Sequence, residues 1–255
     1  MAILCGKNNL DKFNHLVHTD RLLVLIGGGP CGAADLALAK AQSDCFVAAD
    51  GGADALLAHD IKPEAVIGDL DSISPWARSQ ISPDCLHLIA EQNSTDFEKC
   101  LSRISAPLIL GLGFAGGRID HQMAVFHGLL RYCHQRCMLL GAEDVVFLAP
   151  PEISLELPEQ TRVSLFPMGA VQGTSDGLFW PIDGLRFEPG QTIGTSNLAK
   201  GPVHLRVSAA QMLVILPRSC FGVALEALLA TEFSWPEHDG VKAVSYTHLT
   251  LPTTD

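Results

Sequence analysis

Along the first half of the chain, apolar residues fall into short runs separated by longer stretches in which they recur every three or four positions. The runs at 22–26, 45–49, 65–67, 86–90, 107–112 and 137–140 read as strands, and the stretches at 33–43, 53–59, 75–81, 96–104 and 119–135 as helices. Short apolar strands alternating with helices predict a parallel sheet covered on both faces. After Gly141 the pattern changes. Runs at 145–148, 153–157, 162–167, 170–172, 178–182, 191–195, 203–207 and 212–216 are set apart by Gly, Pro, Asp, Ser or Asn, with no helical period between them. Such spacing predicts antiparallel strands packed as a sandwich. The expected fold class is therefore α/β: an N-terminal parallel, doubly covered sheet followed by a C-terminal antiparallel β-sandwich domain.

The expected division is an extension at 1–20, an α/β domain at 21–142, a β-sandwich at 143–218 and a further segment at 219–243. That last segment holds a short amphipathic helix over 221–233. The threonine-rich end at 244–255 matches nothing upstream and reads as non-native sequence.

Composition narrows the function. With 47% hydrophobic and 18% charged residues in a chain of 255, a compact folded protein is expected. A formal net charge of −11 turns away nucleic acid and anionic membranes. Eight cysteines, at 5, 31, 45, 85, 100, 133, 137 and 220, show no paired framework and sit mostly in apolar patterns, as reduced cytoplasmic thiols do. Cys133, His134 and Cys137 lack a fourth ligand at metal-site spacing. Residues 1–20 lack a basic start followed by an apolar run, so no signal peptide is expected, and the apolar stretch at 22–34 is too short to span a bilayer.

The chemistry lies in the segments that follow the parallel strands. Gly27-Gly28-Gly29-Pro30-Cys31-Gly32 precedes a helix, with Asp50 eighteen residues on. This suits either a dinucleotide or the close approach of backbone to another phosphate. Asp50 itself either caps the next helix or faces a ribose or substrate. In Gly68-Asp69-Leu70-Asp71-Ser72, an extended backbone would present Asp69 and Asp71 together and turn Leu70 into the core, the alternative being a turn with two solvated acids. Two such carboxylates repel unless a cation lies between them. Thr95 and Glu98 form a capping-box pattern, Asp96 lies in the first helical turn, and Lys99 is one turn in, within reach of a phosphate. From Gly113 to His121, glycines permit close approach, Arg118 offers a planar fork for phosphate, and Asp120 opens the next helix. All these loops should open on one edge of the sheet. Hard oxygen ligands and cations gathered there suit a hydrated magnesium ion and a polyphosphate, hence phosphoryl or pyrophosphoryl transfer.

Taken together, Ala49-Asp50-Gly51-Gly52-Ala53, Gly68-Asp69-Leu70-Asp71-Ser72, Gln92 with Thr95-Asp96-Phe97-Glu98-Lys99, and Gly117-Arg118-Ile119-Asp120-His121 resemble the thiamine pyrophosphokinase family. Gly177-Leu178-Phe179-Trp180-Pro181 and Thr195-Ser196-Asn197 are similar to that family's later signatures, and the resemblance runs over residues 22–218. It implies transfer of the diphosphate of ATP to thiamine with release of AMP, magnesium as cofactor, and a homodimer with active sites at the interface. It implies Asp69, Asp71 and Asp96 as metal ligands, and Asp71, Asp96, Arg118 and Asp120 as catalytic residues. Asp50, Gln92, Thr95, Lys99 and Arg118 are implied as ATP contacts, and Trp180, Ser196 and Asn197 as thiamine contacts from the partner subunit. Two other classes compete. An NAD-linked oxidoreductase built on residues 27–32 leaves Asp69, Asp71 and Asp96 without a task. A non-catalytic thiamine- or nucleotide-binding module would require chemistry to have been lost, yet all the expected acids are present.

Overall fold

The computed structural model describes residues 15–237. The segment expected to be non-native and most of the N-terminal extension lie outside them. In the first half the strands are β1 (Val17–His18), β2 (Leu23–Ile26), β3 (Phe46–Ala49), β4 (Ala65–Gly68), β5 (Leu86–Leu88), β6 (Ile104–Ser105), β7 (Ile109–Leu112) and β8 (Cys137–Leu140). The helices are α1 (Ala33–Lys40), α2 (Gly52–Leu57), α3 (Pro75–Gln80), α4 (Asp96–Leu101) and α5 (Ile119–Arg131). β1 and β6 form a separate parallel pair. The other six strands lie parallel in the order β5-β4-β3-β2-β7-β8.

Alternation within each strand divides the core. Leu23, Leu25, Val47 and Ile67 pack with Phe97, Leu101, Val125 and Leu129 of α4 and α5 on one face. Val24, Ile26, Ala48 and Val66 pack with Leu36, Ala53, Leu56 and Ala77 of α1, α2 and α3 on the other. This is the doubly covered sheet that the apolar runs predict. The chain builds outward from β2 to β5 and then returns to place β7 on the other side of β2. The carboxyl ends of β2 and β7 therefore flank a switch point, where loops diverge and leave a crevice.

The second half contains β9 (Asp144–Leu148), β10 (Glu152–Leu155), β11 (Arg162–Pro167), β12 (Val171–Leu178), β13 (Arg186–Phe187), β14 (Gly194–Val207), β15 (Met212–Pro217) and α6 (Phe221–Ala230). Here the structure departs from two separate sheets. β9 pairs antiparallel with β8, and β15 with β9, so hydrogen bonding runs unbroken from one half to the other. Among the described residues, one 13-stranded sheet results. Its core is equally continuous: Val24, Leu140, Phe147, Val214 and Leu205 belong to one buried cluster.

The runs expected at 191–195 and 203–207 are the two ends of the fourteen-residue β14. Its first part pairs with β11 (Val163 opposite Asn197), and its last part lies between β10 and β12, with Arg206 opposite both Glu152 and Thr174. The runs at 170–172 and 178–182 likewise touch one strand, β12, whose middle is half-exposed; a register shift between Asp176 and Leu178 then turns the chain away.

Candidate active site

Asp50 follows β3 with φ +43°, a left-handed conformation that short polar side chains tolerate. Its amide donates to the Ile67 carbonyl at 3.1 Å, pinning it between β3 and β4. The residue is 3% exposed. Oδ2 accepts from the Ser72 amide at 3.1 Å, whereas Oδ1 is buried without a hydrogen-bond partner. Burial pushes this carboxyl up to about 6; the Ser72 amide opposes the shift, and the negative charges of Asp96, Asp69 and Asp71 add to it.

After β4 the backbone is not extended. Leu70 has φ +60°, so Asp69, Leu70 and Asp71 form a tight turn, which corrects the extended reading of this segment. Leu70 is buried, as expected. The turn is fastened by its own polar groups: the Asp71 amide approaches Asp69 Oδ1 at 3.4 Å, and Ser72 Oγ donates to Asp71 Oδ1 at 2.8 Å. Behind it, the Ser74 amide donates to Asp54 Oδ2 at 3.0 Å, tying the loop to α2. Oxygens of Asp50, Asp69 and Asp71 come within 4.8 Å of one another. Gly68 makes this possible, since a Cβ there would sit 2.9 Å from Asp50 Cβ and 3.2 Å from Asp96 Oδ1.

The start of α4 supplies the counter-charge. Thr95 and Glu98 form the expected capping box, with the Thr95 amide donating to Glu98 Oε2 at 3.0 Å. Glu98 is buried and also pairs with Arg131 at 3.1 Å, which fixes the first turn of the helix. One turn in, Lys99 is 2% exposed, with Nζ 2.9 Å from Asp96 Oδ1 and 3.4 Å from Asp69 Oδ2. Burial pulls its ammonium down, but Asp96 and Asp69 outweigh that and hold it above its ordinary value. For Asp69, burial pushes up and is outweighed by Lys99 together with hydrogen bonds from the Asp71 amide and Gln92, so its carboxyl lies below the usual range. Lys99 is thus an internal counter-ion, not the free arm its position in the sequence suggests. Gln92 lies at the rim, with Nε2 3.4 Å from Asp69 Oδ2, and Thr95 is exposed. Asp96 adjoins the cluster of Asp50, Asp69 and Asp71 but is engaged by Lys99.

The glycine loop after β2 has a structural task. The Gly29 amide donates to the Gly113 carbonyl at 3.0 Å, and a Cβ on Gly29 would lie 2.5 Å from that oxygen. These glycines let the loops after β2 and β7 meet, which weakens the dinucleotide reading. Arg118 and Asp120 pair with each other, Nη2 to Oδ2 at 2.5 Å and Nε to Oδ1 at 3.1 Å, and both are exposed. The hydrogen bond from Arg118 brings the Asp120 carboxyl down to about 2.

A second polar and aromatic group lies far along the sheet. Phe179 and Trp180 are 49% and 55% exposed, with ring centroids 4.8 Å apart, edge to face. Lys200 Nζ sits 5.3 Å over the Phe179 ring. Asn197 is buried beneath: its Oδ1 accepts from the Trp180 amide at 3.1 Å and from the Leu198 amide at 2.9 Å, and Nδ2 donates to the Trp180 carbonyl at 2.7 Å. Ser196 has φ +63°, and its amide donates to Ser164 Oγ at 3.0 Å. Eight hydrogen-bonded steps separate β12 from β3. At ~4.8 Å each, that is roughly 38 Å along the sheet.

Phe179, Glu98 and Arg131 are missing from the residues assigned from the sequence. Phe179 stands in the quoted motif beside Trp180, but nothing in a sequence pairs Arg131 with Glu98.

The family model of the thiamin pyrophosphokinase catalytic domain matches residues 36–140. The chain is 33% identical to thiamine pyrophosphokinase 1 of Oryza sativa subsp. japonica over 158 residues, 54% of this chain and 60% of that one. It is 29% identical to thiamine pyrophosphokinase 2 of Arabidopsis thaliana over 238 residues, 83% and 84% of the two chains. The chain spans about 60% of the length of the rice relatives it matches. A solved thiamin pyrophosphokinase from Geobacillus thermodenitrificans superposes with a TM-score of 0.64 at 24% identity, covering 77% of this chain and 96% of that one, a likeness of fold.

Proposed function

We propose that this chain is a member of the thiamine pyrophosphokinase family, which its matches support, and that it transfers the diphosphate of ATP to the hydroxyl of thiamine, giving thiamine diphosphate and AMP. The observation that carries this reading is the carboxylate cluster at the strand ends, with Lys99 buried against it.

The cluster fits a divalent cation. Its donors are hard carboxylate oxygens, and one of them, Asp50 Oδ1, is buried with no hydrogen-bond donor. Asp69 and Asp71 would hold magnesium, which when bound offsets the negative charge that grows on the phosphate oxygens. Lys99 steadies Asp69 and Asp96 so that the acids remain together when the site is empty. Gln92 and Thr95, at the rim, are placed to meet ATP. The Arg118 fork offers two donors to a phosphate once exchanged from Asp120. In the transfer, the thiamine hydroxyl oxygen bonds to the β-phosphorus and the bond to the α,β-bridging oxygen breaks. AMP keeps that oxygen, and the hydroxyl proton passes to a carboxylate. Alignment supplies much of the rate.

Thiamine carries a cationic thiazolium ring, which suits the exposed ring of Trp180, whose neighbour Phe179 already carries Lys200. Because these lie eight strands from the acids, we assign them to the site of a second copy, in a homodimer with shared active sites. Ser196 lies beside them, and Asn197 acts by holding Trp180. The seven free cysteines among the described residues suit a reducing compartment such as the cytoplasm. Also among the described residues, no helix is long and apolar enough to cross a membrane.

Chromatography of the products tests the reaction. Equal amounts of AMP and thiamine diphosphate, formed only with magnesium, are expected; ADP with thiamine monophosphate would overturn the reaction type.

A further inference from the structure

We propose that Arg218, just past the end of β15, is a positioning residue for the nucleotide: it fixes the far end of the loop after β2, so that the loop's backbone is in place to meet the phosphates of ATP. This rests on the reaction proposed above and extends it to a residue of the second half of the chain.

The guanidinium ties two distant segments to the end of β15. Nη2 lies 2.5 Å from Asp35 Oδ1 in the first turn of α1, and Nη1 donates to the Gly141 carbonyl, between β8 and β9, at 2.7 Å. The Arg218 amide donates to the Glu143 carbonyl at 2.8 Å, so the residue grips that connection at two points. A planar fork can serve a carboxylate and a carbonyl at once, which a lysine cannot. Both charged side chains are largely covered, at 29% and 26% exposed, so the pair is shielded from much of the screening that weakens surface ion pairs.

Asp35 passes the hold on to the loop. Its Oδ2 accepts from the Gly32 amide at 2.9 Å, at the point where the loop becomes α1. Burial pushes the Asp35 carboxyl up, but the Gly32 amide and Arg218 outweigh it and keep it below its ordinary value.

The loop borders the acids. A Cβ on Gly52 would lie 2.1 Å from the Ile26 carbonyl oxygen, and one on Gly28 would lie 4.0 Å from the Gly51 carbonyl carbon, next to Asp50. Gly28, Gly29 and Pro30 are exposed. The start of the loop is fixed by β2 and by the Gly113 carbonyl, and its end by Asp35, which Arg218 holds. Gly141 in turn lies against the loop after β7, where a Cβ on it would sit 3.4 Å from Ala115 Cβ. Arg218 therefore braces the loops on both sides of the crevice, and loops ordered beforehand need not be ordered by the ligand.

The test combines steady-state kinetics with calorimetric binding of magnesium and α,β-methylene ATP, which lacks the bridging oxygen whose bond to phosphorus breaks. Arg218→Met should fold, because Asp35 keeps the Gly32 amide. It is expected to weaken analogue binding and raise KM for ATP about tenfold, while kcat and KM for thiamine change less than about threefold. Arg218→Lys should recover part of the loss by restoring the pair with Asp35. Arg218→Met combined with Asp35→Asn should be no worse than Arg218→Met alone, since the two residues act as one unit. A merely structural arginine would lower the melting temperature and the amount of active enzyme but leave KM for ATP and analogue affinity at parent values. That outcome would overturn the assignment, as would equal rises in KM for both substrates. A parent that binds the analogue yet releases ADP would overturn the reaction and leave Arg218 to be judged by binding. A parent that does not bind the analogue would remove both.

Discussion

The loops after β3, β4 and β5 and the corner around Phe179 and Trp180 present their chemistry in opposite ways. The first gathers charge inward: Asp50 and Lys99 are buried, and each is held by neighbours of fixed geometry. The second pushes aromatic surface outward and keeps its polar anchor, Asn197, beneath. The acidic region depends on charge balance, so it should fail when a charge is removed. The aromatic region depends on the path of the backbone, so it should fail when the clamp is removed and only weaken when a ring is lost.

The most severe break should come from Lys99→Met. It leaves Asp69 and Asp96 without their buried partner, and a loss of about 3–5 kcal/mol is expected in urea unfolding without magnesium. Unchanged stability would mean that the acids do not need the lysine. Next, Asp71→Asn alters an exposed carboxylate. Turnover should fall about 10²–10³-fold at saturating magnesium while the melting temperature holds, because an interaction at the reacting phosphates is lost and little of the fold. A change of only a few-fold would remove Asp71 from the site.

The charge argument also has a pH signature. The Asp50 carboxyl is pushed up to about 6 by burial, so the folded state keeps its proton longer than the unfolded chain does. Metal-free protein should therefore be most stable with respect to this group below about pH 4 and lose roughly 2–3 kcal/mol as pH rises through 6. Denaturation curves of the parent and Asp50→Asn should differ by that slope. On the aromatic side, Asn197→Ala removes three hydrogen bonds to backbone and should cost about 1–3 kcal/mol, together with a raised KM for thiamine. Trp180→Ala should have the smallest effect. A lost cation–π contact is worth about 0.5–1 kcal/mol at an exposed position, so KM for thiamine should rise a few-fold with kcat and stability preserved. An equal fall in kcat would place the ring closer to the reacting atoms.

The same contrast explains what could be read from the sequence. Five of the six parallel strands announce themselves because both faces are buried along their length, whereas β5, Leu86-His87-Leu88 at the sheet edge, is only partly covered. β14 does not announce itself, because its middle carries Ser196, Lys200 and Gly201 and looks like a loop; only pairing with β10, β11 and β12 keeps it extended. The two-residue strands β1, β6 and β13 are too short to carry a period. Within the site, the acids are visible as motifs, but their arrangement is not. The turn at Leu70 depends on how the loop is fastened to Asp50 and Asp54, and a lysine one turn into a helix gives no sign that it will be buried. Asn197 is a similar case. The resemblance implies a ligand contact there, but its amide is hydrogen-bonded to the Trp180 backbone.

The seam between β8 and β9 bears on how this molecule can be divided. Residues 141–143 are an inviting place to cut, since the helical period ends there. Yet β8 is buried along its whole length and bonded on both sides, to β7 and to β9. A fragment ending at 142 would bare an apolar strand with a full row of open amides and carbonyls, the kind of edge that recruits other chains. The parallel-sheet half is therefore not a portable module. Any transplant or circular permutation that keeps it soluble has to carry β9, and with β9 its far-sequence neighbour β15.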